Sequence, residues 1–68
     1  MTKEEAAKIR RWFGLTLIEM GRKIGAHYTV VCEIEKGNRA PTEVQSRKLQ
    51  IMRERMLREM RTAVGAAQ

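Results

Sequence analysis

The chain predicts an all-α fold: a compact domain of four helices, three short and the last one long. Three observations predict it. Three threonines each stand three residues before a Glu or Gln, namely Thr2 before Glu5, Thr16 before Glu19 and Thr42 before Gln45. In such a capping box the Thr side chain accepts from a first-turn N–H and the acid or amide reaches back to the cap. Three glycines, Gly14, Gly25 and Gly37, follow apolar residues at helical spacing, where a helix end takes the left-handed conformation. Between Thr42 and Gly65 there is neither Gly nor Pro.

Taken in order, Ala6, Ile9 and Phe13 give the apolar face of a first helix over about residues 3–13. Met20 and Ile24, four apart, mark a second over about 17–24. Val30, Val31 and Ile34 mark a third over about 28–36. Its β-branched residues lower helix propensity, but the flanking glycines and Ile34 outweigh them. A fourth helix is expected over about 42–64, with Leu49, Met52, Met56, Met60 and Ala63 as one stripe. Val44 and Ile51 lie to one side of that stripe, flanked by the stems of Lys48 and Arg55. Such a helix is about 35 Å long, longer than the rest of the domain is wide. One stripe can pack on the first three helices and the other needs a partner. The tail from Gly65 to Gln68 has nothing to bury and is expected to fray.

Composition narrows the function. The 68 residues make one domain, 1–68, and a chain of this size buries only about 60% of its unfolded surface. No catalytic set, ligand pocket or cofactor is expected. Fourteen Lys and Arg against eight Asp and Glu give +6, which attracts polyanions, nucleic acid first and anionic membrane second. The three aromatics, Trp12, Phe13 and Tyr28, are too few for stacking on single strands. One cysteine, Cys32, and one histidine, His27, give no internal disulfide and no zinc ligand set. No apolar run approaches about 18 residues and no leader opens the chain. A cytoplasmic protein with no membrane partner is the expectation.

Residues 14–41 resemble the Cro/repressor (Xre-type) helix-turn-helix family of bacteria and their phages. Gly21 stands where that family has a small residue, Gly25 at its turn, and Met20, Ile24, Val31 and Ile34 where the two helices interlock. The stretch Ile34-Glu35-Lys36-Gly37-Asn38-Arg39-Ala40-Pro41 is similar to the family's Ile-Glu-x-Gly-x-Arg-x-Pro exit from the recognition helix. Ile9-Arg10 fits the apolar-Arg pair of its first helix, and the likeness covers about 35 of 68 residues. The resemblance implies a helix-turn-helix over about 16–36 and an Arg10 that pairs with Glu35. Leu17 and His27 depart from the family, which often has Gln and Ser or Thr there. The unbroken stretch 42–64 departs too, since the family's last two helices are separated by a turn.

By family position, base edges in the major groove would be met by His27, Tyr28, Thr29, Cys32 and Glu33. Thr29 has a methyl for thymine, and Glu33 an acceptor for cytosine N4. Phosphate contacts are expected from the helix start at Thr16, from Arg22, and from the backbone amides and side chains of Lys36, Asn38 and Arg39. Cys32 is read as a small residue permitting close approach rather than a nucleophile. The stripe Leu49, Met52, Met56 and Met60 is expected to be a homodimer seam.

These expectations converge on a homodimeric, sequence-specific double-stranded DNA-binding repressor of a phage or mobile-element promoter, acting on an inverted-repeat operator. Two alternatives compete with it. One is an antitoxin-type interaction module whose last helix covers a protein partner. The other is a nonspecific nucleoid-type binder.

Overall fold

Four helices follow one another in the computed structural model: α1 (Lys3–Trp12), α2 (Leu17–Ile24), α3 (Tyr28–Lys36) and α4 (Glu43–Ala66). Residues 2–66 are described, with side chains through Ala63, and no strand occurs among them. The all-α expectation holds, and each short helix lies within one residue of its expected bounds. The last helix runs on through Gly65 to Ala66; Ala67 and Gln68 of the expected tail lie outside the described residues.

The starts have the chemistry the sequence implies. Thr16 Oγ1 accepts from Glu19 N at 3.1 Å while Glu19 Oε1 accepts from Thr16 N at 2.9 Å. Thr42 and Gln45 close the same box at 3.2 and 3.0 Å. The first box is half made: Thr2 accepts from Glu5 N at 3.2 Å, but the Glu5 carboxylate leaves its own helix for Arg53 of α4, 3.5 Å away.

Ile9, Met20, Ile24, Val31, Leu49 and Met56 form one buried cluster drawn from all four helices. Burial of side chains this size contributes about 1.5–3 kcal/mol each. Leu49 and Met56 are only 1% and 3% exposed. The homodimer seam expected along α4 is therefore corrected. Leu49 and Met56 are consumed by the chain's own core, and Met52 and Met60 lie half-buried against it. Periodicity locates an apolar face without saying what covers it; here α1 and α2 do. Leu57, which the stripe omitted, also packs against the cluster.

α4 lies alongside α1. Glu5 meets Arg53, and seven residues later along α1 the Trp12 indole N–H donates to Glu59 Oε1 at 3.1 Å. Both contacts advance together, so the two helices run in the same direction. The protein measures 40 × 21 × 18 Å, and its long dimension is that of a 24-residue helix, about 36 Å at 1.5 Å per residue. With its buried stripe turned inward, α4 leaves Val44 and Ile51 outward, 59% and 66% exposed.

This division of α4 into two faces predicts opposite responses to truncation. Leu49→Ala should lower the unfolding free energy by about 2–5 kcal/mol, as large-to-small core changes do. Ile51→Ala should change it by no more than about 0.5 kcal/mol, as exposed substitutions do. Urea denaturation of the two variants checks this; equal losses would place Ile51 in the core.

Candidate nucleic-acid interface

α2 and α3 are joined by the three residues Gly25, Ala26 and His27. Gly25 ends α2 with φ +73°, its N–H bonding to Gly21 O, a conformation that other residues adopt at a cost. Gly21 is needed for a different reason. A Cβ there would collide with the Ala26 carbonyl oxygen. The obstacle is the turn itself, which passes over Gly21 on its way into α3, and the Ala26 N–H bonds Gly21 O at 2.8 Å.

The rotational setting of α3 is fixed from behind. Val31 and Ile34 are buried, and Glu35 receives a two-pronged grip from Arg10 of α1, Nε to Oε2 at 2.7 Å and Nη2 to Oε1 at 3.1 Å. The pairing implied by the family resemblance is thus formed. The same guanidinium donates from Nη1 to Leu15 O at 3.0 Å, and the bonds to Glu35 hold its protonated form still more firmly than usual.

With that side anchored, Tyr28, Thr29 and Lys36 stand exposed on the other, and Cys32 and Glu33 are half-exposed between them. The five candidate base-contacting residues are brought together at the first two turns of α3. His27 caps the helix: its Nδ1 accepts from Thr29 N at 3.3 Å and lies 2.8 Å from Thr29 Oγ1. Its ring stands 4.6 Å from that of Tyr28. Ile18 and Arg22 of α2 flank Tyr28 across a shallow concavity, and Ile18 is exposed.

Glu33 takes a different role from the one expected of a lone acceptor. Its Oε2 holds Arg39 Nε at 2.9 Å, with the two side chains 45% and 52% exposed. A pair so accessible contributes at most about 1 kcal/mol, so it both positions Arg39 and opens readily. The exit loop offers fewer donors than expected. Gly37 N and Asn38 N are already bonded to Ile34 O and Glu33 O, at 3.1 and 2.9 Å, so those two amides are taken, while the side chains of Lys36, Asn38 and Arg39 remain candidates for a phosphate contact. Lys3 adds a cation that the sequence did not point to: its stem lies over Gly37, from 34 residues away in the chain.

The start of α2 is likewise less open than a bare helix end. Both the N–H and the hydroxyl oxygen of Thr16 are engaged with Glu19. Hydrogen bonds from the Thr16 backbone and side chain hold the Glu19 carboxyl below its ordinary range, so it stays ionised where a phosphate would come. Arg22 is exposed on the next turn. Charge as a whole is not concentrated at α3: α4 carries six basic residues against three glutamates, half of the chain's surplus of +6.

No helix among the described residues is long and apolar enough to cross a membrane. No family model, no curated protein and no solved structure matches this chain.

Proposed function

We propose that the protein is a sequence-specific double-stranded DNA-binding regulator of transcription that reads the major groove with α3. The carrying observation is the two-sidedness of that helix. One side is locked by Val31, Ile34 and the Arg10–Glu35 clamp, while Tyr28, Thr29, Cys32, Glu33 and Lys36 remain uncovered on the other. A helix held rigidly with mixed donors, acceptors and a methyl outward is what reading base edges requires. Thr16, Arg22, Lys36, Asn38 and Arg39 surround it as phosphate contacts, which fix register but carry no sequence information. The resemblance to Cro/repressor regulators supports the same reading and adds the expectation of two copies on an inverted repeat. Their contact lies outside Leu49 and Met56, which the core has taken up. Repression follows from occupancy of promoter DNA and is set by protein concentration.

Selection of bound sequences from random duplex DNA, at low and moderate salt, tests the reading directly. A two-fold symmetric consensus surviving at the higher salt is expected; recovery of no consensus, with binding lost as salt rises, leaves only the nonspecific electrostatic attraction. Within the site, Tyr28→Ala or Thr29→Ala should relax preference at particular base pairs by about 1–3 kcal/mol, read by repeating the selection on each variant. An unchanged profile would sink the assignment of α3. Arg39→Ala should weaken binding to every sequence and reduce the log–log salt slope by about one; a slope equal to that of the parent chain would exclude a phosphate contact. Glu19→Gln keeps a capping box and removes a negative charge from the start of α2. It should tighten binding about two- to threefold at low salt, an effect that must shrink as salt is added.

A further inference from the structure

A second surface is built on the flank of α2 that faces away from α3. Phe13 and Leu15, from the end of α1 and the loop after it, meet Ile51 and Met52 of α4 to floor a cleft of about 310 Å³. Lys23 of α2 and Arg55 of α4 stand at its sides, and Lys48 lies one turn before Ile51. Ile51 is among the most exposed large apolar side chains described, and Val44 continues the same face of α4 two turns earlier. The cleft is at the small end of ligand pockets, and its cationic edges are uneven. Arg55 spreads over the Phe13 ring at 5.4 Å and pairs with Glu59 at 3.1 Å. Lys23 and Lys48 form no ion pair among the described residues.

We propose that this cleft docks an acidic amphipathic helix of a partner protein, apolar side chains entering between Phe13 and Ile51 and carboxylates meeting Lys23, Lys48 and Arg55. Helices settle in apolar grooves through anchors at four- and seven-residue spacing, and Val44 and Ile51 offer a contact line of that length. Charge complementarity selects the occupant. A second copy of this chain would set Lys23, Lys48 and Arg55 against themselves, and like charges facing each other oppose association. Nucleic acid would satisfy the cations but gain nothing from the apolar floor. The location is compatible with the proposed function without depending on it. At about 100° per residue, Lys23 lies on the far side of α2 from Gly21, which faces the turn into α3. A partner in the cleft leaves Tyr28 and Thr29 uncovered.

The test is selection on the full-length chain from a displayed library of helical peptides with apolar residues at four- and seven-residue spacing and all other positions randomised. Peptides rich in Asp and Glu should be enriched, and a synthetic peptide of the enriched sequence should bind more weakly as salt is added. Ile51→Lys and Lys48→Glu each alter an exposed residue and should keep the helical circular dichroism. Each should weaken peptide binding by about tenfold or more, the effect of losing a central anchor or charge pair. No enrichment, or enriched peptides that bind both variants as well as the parent chain, would overturn the proposal. So would sedimentation showing that Ile51→Lys converts a dimer into a monomer, which makes the occupant a second copy. Loss of duplex DNA affinity in Lys48→Glu with peptide binding intact would reassign the cations to phosphate.

Discussion

The Arg10 guanidinium bonds two different parts of the chain at once, the Glu35 carboxylate on α3 and the Leu15 carbonyl in the loop between α1 and α2. Three donors leave one planar group in fixed directions, so α1, the loop and α3 cannot shift independently. Both side chains are largely shielded, at 21% and 12% exposure, and removal of either would strand the other's charge. Lysine in place of Arg10 keeps the charge and loses the fork, since an ammonium cannot hold a carboxylate by two parallel bonds while also reaching a carbonyl. The outward presentation of Tyr28 and Thr29 follows from this clamp together with Val31 and Ile34. The chemistry of one face of α3 is thus set by an ion pair on the other.

The helices were legible because local chemistry decides them. Threonine caps and glycine stops act within four residues, and the sequence displays a threonine start for α1, α2 and α4 and a glycine after each of the three short helices. The interlocking of α2 with α3 was legible through the family resemblance, which puts Met20, Ile24, Val31 and Ile34 between the two helices, and all four are buried. The fate of α4 was not. Its two apolar stripes are equally visible in the sequence, and only the packing of α1 alongside it, braced by Glu5–Arg53 and Trp12–Glu59, decides that the methionines turn inward and Val44 and Ile51 outward. Contacts between residues far apart in the chain, such as Trp12 with Glu59 or Lys3 over Gly37, leave no local signature.

Electrostatics in the candidate site were the least legible part. Glu33 and Arg39, expected from the sequence as separate contacts, pair with each other in the folded chain. Glu19 reads from sequence as a helix cap and nothing more; in place, it is an anion standing where phosphate is expected. Both arrangements partly answer, within the protein, the positive charge near α3; under the proposed function they would lower indiscriminate attraction to DNA. Half of the chain's surplus positive charge sits on α4, the helix that forms one wall of the apolar cleft.

The histidine cap of α3 has a consequence for hydrogen-bond polarity. Because His27 Nδ1 accepts from the Thr29 N–H, the proton of the neutral ring belongs on Nε2. The Thr29 hydroxyl lies 2.8 Å from the same nitrogen. On the neutral ring the outer edge of the cap is therefore a donor alone. A serine or threonine cap could rotate its hydroxyl to suit either kind of neighbour; the edge of this ring is polarised in advance.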